Sequence, residues 1–476
     1  MIEGRFKYAI SGKEMEIADK SVEMALKAGA SDVQVTLDKA QTELIALLDG
    51  ELDNVRRTGD RALTFKLYVD GRYGVFSTNR LDADSLGKVL EQAVENVRML
   101  APDPFRKLPD TADTARDAVN GDEMELCWDG YDGVSQEMKL GIAGKTSVFK
   151  DAAGGKIPEK FGNSPGWKLV SEETEYNNTF TDTYLTDSNG TRCRQAETSF
   201  EICSQCTVED ESGNKFSGMW WDYDIRPSFP DPKECGWKAV EKAVAQINPV
   251  RQKGGRHTMV VDRLVNGKLL SPVIKALGGR AIQQKSSFLT DSLDTRVFGE
   301  GLTIMDRPRE KGKCGSILFE QDGRACLDRD IIIDGVVKEY FISTYMSGKM
   351  NMPATSETAN RAVLLPYAEG DPALTRKLRE GECSLALDGI LGICGDGILV
   401  TGFNGGNCNS ATGDFSYGIE GFRFSDGHIL CPVENMVITG NMISLWNSLI
   451  VAGTDPVNGF SRQIPTLAFR DVSFSA

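Results

Sequence analysis

Hydrophobic and polar positions in the first hundred residues follow two different periods, one helical and one extended. Apolar residues at helical spacing follow the pair Ser11 and Glu14, whose order is that of a capping box, and predict an opening amphipathic helix. Residues 33–37 and 63–69 alternate between apolar and polar side chains, which predicts two strands. Residues 43–48 are also extended in pattern, and we expect them to pair with the first strand in antiparallel fashion.

A hairpin and a second helix complete this half of the pattern. The Asp70-Gly71 pair predicts a tight turn into another short strand. Residues 86–100 repeat apolar positions at helical spacing and end at Ala101-Pro102. The predicted fold class is therefore α+β, with an N-terminal antiparallel sheet that carries helices on one face.

The second half of the chain changes to many short strands linked by glycine-rich turns. Residues 389–441 are the most glycine-dense part, and Asp426-Gly427 reads as one of their hairpin turns. This pattern predicts a C-terminal β-rich domain, a curled sheet or partial barrel, with one main helix packed on it. A proline-containing loop near residues 227–230 places the boundary between an N-terminal domain, 1–225, and a C-terminal domain, 226–476.

The main helix of the second half is predicted within residues 262–289. Asp262 is a suitable N-cap, and apolar residues then recur at helical spacing. Pro272 should kink the helix or restart it, and Gly278-Gly279 should end it.

Composition excludes several classes of function. The chain has 476 residues, 40% of them apolar, and a net charge of −15, so direct binding to nucleic acid is disfavoured. No apolar run is long enough to span a membrane, and no signal segment opens the chain, so we expect a cytoplasmic protein. The eleven cysteines lack framework spacing and are expected to be reduced.

Residues suited to metal or nucleophilic chemistry are scarce. His257 and His428 are the two histidines of the chain, and neither stands at a metal-binding spacing. Cys203 and Cys206 lie on a predicted strand, where side chains three residues apart point to opposite faces. Core packing is the favoured interpretation of both cysteines, and a zinc knuckle or redox pair is the alternative.

A glycine-rich segment, residues 405–413, is the remaining candidate site. It lacks the lysine and following helix of a phosphate-binding loop, so its glycines are more typical of bulges and turns. Close backbone approach would also let an extended peptide add to the sheet edge. The peptide-groove candidates are Gly405, Gly406, Asn407, Thr412, Gly413 and Asp414.

Three stretches together resemble one protein family. They are residues 67–104, residues 277–289 (LGGRAIQQKSSFL) and residues 409–441, which contain Thr412-Gly-Asp-Phe-Ser and Pro432-Val. The chain resembles the PmbA/TldE branch of the TldD/PmbA family, whose members are also named modulators of DNA gyrase. The resemblance implies a cytosolic heteromeric protease in which a TldD subunit supplies zinc and a PmbA/TldE subunit completes the particle. It also implies that the substrates are unfolded peptides, including microcin precursors and labile antitoxins.

The resemblance also implies where the zinc site of the catalytic relative would fall. Its two helical ligands correspond to Leu270 and Lys275, its base to Ser271, and its late cysteine ligand to a position near Ala452. Leucine and alanine have no lone pair to donate, and lysine is cationic at neutral pH. We therefore predict no catalytic residue, no metal and no cofactor in this chain.

The predicted function is that of a non-catalytic subunit which pairs with a TldD-like catalytic subunit and helps to bind peptide substrates. When alone, the chain is expected to be able to form a homodimer. Two alternatives stay open: a modulator of DNA gyrase that acts by protein–protein contact, and a self-sufficient hydrolase with an atypical site.

Overall fold

The computed structural model describes residues 2, 4–162 and 166–476, apart from the side chains of residues 83 and 84. The chain forms two compact units. The N-terminal unit comprises Met1–Ile247 and Glu310–Cys326, and the C-terminal unit comprises Asn248–Arg309 and Leu327–Ala476. The division predicted between residues 225 and 226 stays a prediction.

The N-terminal unit combines long strands with short helices. In chain order its elements are α1 (Gly12–Lys27), β1 (Asp32–Leu48), β2 (Glu51–Val69), β3 (Arg72–Thr78), α2 (Ala83–Arg98), α3 (Gln136–Thr146), α4 (Phe149–Ala153), β4 (Trp167–Asp187), β5 (Arg192–Asp210), β6 (Lys215–Asp224) and α5 (Pro232–Val244). The predicted capping box at α1 is confirmed, because the backbone N–H of Glu14 donates to the Ser11 hydroxyl and the Ser11 N–H donates to the Glu14 carboxylate.

The strands of this unit form one six-stranded antiparallel sheet in the order β3-β2-β1-β4-β5-β6. The prediction that residues 33–37 and 43–48 are separate, paired strands is wrong, because both belong to β1. Residues 38–42 are mainly polar, so the alternation fades there, while pairing with β2 and β4 carries the strand through. The predicted hairpin at Asp70-Gly71 is confirmed, and it joins β2 to β3.

One face of the sheet is covered by helices, as predicted. Val33, Val35 and Leu37 of β1 pack in one buried cluster with apolar residues of α1 and α2. Farther along the same strand, Ile45 and Leu47 pack in a second cluster that includes residues of α3 and α5. All five side chains are odd-numbered and share one face, so the even-numbered positions of β1 form the other, more polar face.

The C-terminal unit contains many short strands. In chain order its elements are β7 (Gly255–Val261), α6 (Gly267–Ala276), α7 (Gly279–Gln283), β8 (Ile304–Asp306), β9 (Arg329–Ile333), β10 (Val336–Val337), α8 (Thr344–Met350), β11 (Ala362–Leu364), β12 (Tyr367–Ala368), α9 (Pro372–Arg379), α10 (Leu387–Cys394), β13 (Gly397–Cys408), β14 (Asp414–Ser425), β15 (His428–Pro432), β16 (Met436–Asn441), α11 (Met442–Trp446), β17 (Leu449–Ala452) and β18 (Leu467–Ser475).

The predicted β-rich domain is confirmed, and its main sheet closes into a barrel. Strands β7, β13, β14, β16 and β18 pair in that order, and β18 pairs with β7 to complete the ring. The β7–β13 pair is parallel and the other pairs of the ring are antiparallel. Helix α6 packs with barrel residues in one apolar core, which agrees with the single main helix that was predicted.

The predicted start of this helix at Asp262 is wrong. The helix begins at Gly267, and Asp262 instead accepts the N–H of Leu264 in the preceding turn (2.8 Å). Asn266 precedes the helix without capping it, because its side-chain amide donates to the carbonyls of residues 464 and 465. Pro272 does not end the helix, which continues through it to Ala276.

Among the described residues, every helix is too short or too polar to cross a lipid bilayer.

Candidate functional site

Two of the four positions to which the family resemblance assigns the relative's zinc site lie inside the C-terminal core. Leu270 on α6 and Ala452 on β17 are both 0% exposed and belong to the same apolar cluster. Neither side chain has an electron pair to offer a cation, and water has no access to either. These two positions therefore contribute to packing.

The other two positions, on the outer side of α6, present positive charge. The hydroxyl of Ser271 donates to the Gly267 carbonyl (2.7 Å) and accepts a hydrogen bond from the guanidinium of Arg462. Lys275, one helical turn farther on, is exposed. A guanidinium and an ammonium repel a divalent cation, so the residues present do not fit a zinc ion.

The two histidines do not form a metal site in the described part of the chain. The His257 ring lies 3.2 Å from the carbonyl of Lys253 and packs edge-on against Phe474, while His428 is exposed on β15. Among the residues that the structure describes, no three His, Cys, Asp or Glu side chains form a group suited to a metal. No reaction step is therefore assigned to a metal held by this chain.

The outer side of α6 carries a third cationic side chain besides Lys275 and Arg462. Lys268 lies two turns before Lys275 on the same exposed side, and its ammonium is 4.9 Å from the centre of the Tyr417 ring. Lys268, Lys275 and Arg462 have no carboxylate within ion-pair distance among the described residues. We call these three residues the α6 cation cluster.

The carboxylates closest in sequence to this cluster are engaged elsewhere. Asp455, on the loop that carries Arg462, accepts hydrogen bonds from both the N–H and the hydroxyl of Thr466 and lies 4.0 Å from Arg263. Asp262 accepts a backbone N–H in its own turn. The positive charge of the cluster is therefore not neutralised by either of these two residues.

The predicted peptide-groove residues lie on the β13–β14 hairpin. Gly405 and Gly406 form a bulge in β13, with φ of 61° and 73°. A Cβ on Gly406 would stand 2.0 Å from the carbonyl oxygen of Ser416, so a side chain is excluded there. The expectation of a bulge is confirmed at both glycines, and that of a close backbone approach is confirmed at Gly406. Asn407 is exposed beside them.

The turn of this hairpin is held by its own polar side chains. The Thr412 hydroxyl donates to Asp414 (2.7 Å), and the Asn441 amide donates to both the Thr412 carbonyl and the Asp414 carboxylate. These hydrogen bonds lower the pKa of Asp414, which keeps it ionised. Gly413 is buried against Phe288 with φ of 79°. Thr412 and Asp414 are thus exposed on a braced turn.

One edge of β13 is available to another strand. Residues 398–400 pair with β7, whereas residues 402–408 pair with β14 alone among the described residues. Phe403 at the start of this free edge packs against Tyr417 (ring centres 5.7 Å apart). Tyr417 also contacts Lys268, so one aromatic ring connects the free edge to the α6 cation cluster.

The polar face of the N-terminal sheet forms a separate recess of about 440 Å³. Asp38 and Glu197 line it on either side of β4, and each accepts a hydrogen bond from a threonine of that strand. Burial raises the pKa of both carboxyls. Glu197 is reached by water and yet has a raised pKa, because the surrounding recess displaces part of its hydration.

Sequence reasoning located the α6 helix and the glycine bulge but missed Arg462 and Lys268. Arg462 is 191 residues from Ser271 in the chain, and no local motif marks that contact. Lys268 stands at i−7 from Lys275, so its presence on the same face was available from helical spacing.

These features define a protein with an open α+β sheet unit and a closed barrel unit, in which α6 packs into the barrel core. The chain belongs to the PmbA/TldD family. The PmbA/TldA metallopeptidase domain 1 matches residues 34–97, the central domain matches residues 140–247, and the C-terminal domain matches residues 254–476.

Individual relatives agree with this assignment. The metalloprotease PmbA of Escherichia coli O157:H7 is 24% identical over 93% of this chain and 92% of its own. A crystal structure from Bacteroides thetaiotaomicron, of a protein provisionally named a modulator of DNA gyrase, is 32% identical, covers 98% of this chain and 100% of its own, and superposes with a TM-score of 0.87. TldE from Thermococcus kodakarensis shares the fold (TM-score 0.77) at 14% identity, over 97% of this chain and 100% of its own.

Proposed function

We propose that this chain is the non-catalytic subunit of a TldD/TldE-type heteromeric metalloprotease that acts on unfolded peptides. The observation that carries the proposal is the state of the four corresponding positions. Leu270 and Ala452 are buried apolar residues, Ser271 is bonded to a guanidinium, and Lys275 is an exposed ammonium. Zinc and a general base would then come from the TldD-like partner subunit.

The free edge of β13 supports a role in holding the peptide. An extended peptide that adds to this edge would make backbone hydrogen bonds, which bind many sequences with similar strength. Gly405, Gly406 and Asn407 would lie along that peptide, and Thr412, Gly413 and Asp414 would lie at the braced turn. We propose these residues as the wall of a peptide groove. We also propose a cytoplasmic location, which suits eleven cysteines that form no disulfide.

The test uses this chain and a TldD-type sibling from the same source, purified separately and then mixed. We expect the two proteins to co-elute as one complex. The complex should contain zinc in an amount that matches the sibling subunit, with none added by this chain. The mixture should cleave an unfolded peptide, and neither protein should do so alone. Separate elution, or a sibling equally active alone, contradicts the assembly. Stoichiometric zinc in the isolated chain, or cleavage by it alone, would establish the self-sufficient hydrolase instead.

A second candidate function is contact with DNA gyrase, favoured by the name of the Bacteroides thetaiotaomicron relative. With a net charge of −15, such contact would be with the gyrase protein and would weaken as salt is raised. Co-sedimentation of the two purified proteins at low and high salt tests it, and absence of a complex at low salt removes it. The chain alone is also expected to form a homodimer, which its elution volume would report.

A further inference from the structure

The α6 cation cluster has a chemical identity that the proposed function does not require. A non-catalytic subunit needs no ligand at the former zinc position, and apolar or neutral residues would serve equally well. Lys268, Lys275 and Arg462 instead place three positive charges around Ser271 in a chain whose net charge is −15. We infer that this face binds carboxylate groups of an acidic peptide segment, where the zinc-binding relative would hold its ion.

Helix geometry determines how far apart the charges stand. Lys268 and Lys275 are seven residues apart, which corresponds to about 10 Å along one helix face. Arg462 reaches Ser271 between them from a different part of the chain. Carboxylates at every second residue of an extended peptide are about 6.6 Å apart, so three of them span about 13 Å and match the reach of the three flexible side chains.

The Arg462 guanidinium uses one of its hydrogen-bond donors within the described part of the molecule. One of its terminal nitrogens donates to Ser271, and no further hydrogen bond or ion pair of this side chain is found within the described part of the molecule. The Ser271 hydroxyl has already given its proton to the Gly267 carbonyl (2.7 Å), so it holds the guanidinium as an acceptor. The remaining N–H groups of Arg462 are available for the two oxygens of a carboxylate.

The free edge of β13 supplies a route for the rest of the peptide. Lys268 stacks on Tyr417, and Tyr417 packs against Phe403 on that edge. A peptide strand added to β13 would therefore be separated from the cluster by the Tyr417 ring. Its acidic side chains could reach the cations while its backbone pairs with β13. The inference rests on the proposed function in treating this peptide as a substrate segment.

The experiment measures how tightly the full-length isolated chain binds a short fluorescent acidic peptide. The probe is a ten-residue peptide with blocked ends, an uncharged fluorophore and three glutamates at alternate positions. Its matched control replaces those glutamates by glutamines. At low salt, fluorescence anisotropy should give a Kd about 5-fold or more lower for the glutamate peptide, and added salt should remove the difference.

Variants assign the binding to the cluster. K275Q with R462Q should raise the Kd of the glutamate peptide about 5- to 20-fold, since each exposed ion pair contributes about 2- to 5-fold. Lys377→Gln is the matched control, because Lys377 is an exposed lysine of α9 that also lacks a carboxylate partner in the described chain; its Kd should stay within about 2-fold.

Several results would overturn the inference. Equal affinity for the glutamate and glutamine peptides would do so, as would an unchanged Kd in the double variant. An oligothymidine of equal charge is the third test. If it competes with the peptide, and if the double variant no longer binds it, the site is one for phosphate groups. Loss of co-elution with the sibling, by contrast, refutes the proposed function and leaves charge-dependent peptide binding intact.

Discussion

Charged residues are arranged in opposite ways in the sheet of the N-terminal unit and around α6 of the C-terminal unit. In the sheet, Arg194 and Asp182 are 2% and 0% exposed at the side chain and form a two-point ion pair, with nitrogen–oxygen distances of 3.0 and 2.7 Å. Around α6, Lys275 is exposed and Arg462 half-buried, and neither has a carboxylate within ion-pair distance in the part of the chain that the structure describes. The buried charges of the first region have partners that hold the fold together, whereas the surface charges around α6 are the ones that we propose bind a ligand.

A second buried carboxylate of the sheet illustrates the same role. Glu172 on β4 is 1% exposed and accepts hydrogen bonds from the N–H groups of Val148 and Phe149 and from the hydroxyls of Ser147 and Ser204. Burial raises its pKa, and these hydrogen bonds oppose that rise. The carboxylate joins the segment between α3 and α4 to the sheet, a role that a surface charge does not have.

The largest expected effect comes from breaking the buried pair. Asp182→Asn leaves the Arg194 guanidinium without its counter-charge and should lower the free energy of unfolding by about 3–5 kcal/mol. Urea unfolding followed by tryptophan fluorescence measures it, since five of the six tryptophans lie in this unit. Arg192→Gln is the control: Arg192 is exposed and pairs with Asp19, so the loss should stay below about 1 kcal/mol. Similar losses for both variants would remove the distinction between buried and surface charges.

The sequence predicted this contrast only in part. The helix patterns and the hairpin at Asp70-Gly71 were readable because periodicity and turn chemistry are local. The continuity of β1 was not, because neighbouring strands sustain its polar middle. The start of α6 was also missed, because Asn266 and Asp262 are engaged by partners that no local pattern reveals.

The candidate site was predictable to a similar extent. Family resemblance pointed to Leu270 and Ser271, and glycine spacing pointed to the β13 bulge. The guanidinium that bonds to Ser271 comes from Arg462, and only folding brings those two residues together. Long-range contacts of this kind carry no signal in a single sequence.

The second prediction concerns the packing role of Leu270. Leu270→Ala should cost about 2–5 kcal/mol, because the side chain is fully buried and its removal leaves a cavity. Hydrogen exchange in α6 and the barrel strands, together with thermal unfolding, measures this loss. Lys268→Ala on the exposed side of the same helix should change stability by about 1 kcal/mol or less, since it removes one cation–π contact. A Leu270→Ala variant as stable as the native chain would mean that the position is not part of the core.

The third prediction tests whether the β13 bulge is a rigid feature. Gly406→Ala adds a Cβ at a left-handed residue, 2.0 Å from the Ser416 carbonyl oxygen, and should cost about 2–4 kcal/mol. Gly405→Ala is matched, since Gly405 is also left-handed but has open space around it, and its cost should be about 1–2 kcal/mol. Thermal unfolding of both variants gives the comparison. Equal costs would show that the close approach at Gly406 does not constrain the hairpin.

The fourth prediction uses pH to separate the carboxylates of the recess from surface carboxylates. The pKa of Glu197 is raised by burial, so folding favours its protonated form: that contribution to stability is present below the unfolded pKa and is lost as pH rises through the folded pKa. Glu197→Gln should therefore gain stability relative to the native chain as pH rises from about 4 to 8.

Glu51 provides the control of opposite sign. Lys150 lowers the pKa of Glu51, so its contribution is present above the unfolded pKa and is lost as pH falls. Glu51→Gln should lose its small destabilising effect at acidic pH, while Glu197→Gln shows its benefit at neutral pH. Urea unfolding across the pH range measures both, and the same pH dependence in the two variants would contradict the assignment of Glu197 to a desolvating recess.

The smallest expected effect is at Arg462, and it is the sharpest test of the comparison. If the α6 cation cluster is there for a ligand, its removal should leave the fold almost unchanged: Arg462→Gln should alter the free energy of unfolding by about 0.5 kcal/mol or less. Arg329 is the matched case of a structural arginine in the same unit, held by Glu339 (2.8 Å) and by the Thr355 carbonyl (2.6 Å), and Arg329→Gln should cost about 1–3 kcal/mol. Urea unfolding of the three proteins at one pH and salt concentration decides the matter. If Arg462→Gln lowers the free energy of unfolding as much as Arg329→Gln does, the bond from Arg462 to Ser271 is a structural contact. The contrast between the paired charges of the sheet and the ligand-binding charges proposed on α6 would then no longer hold.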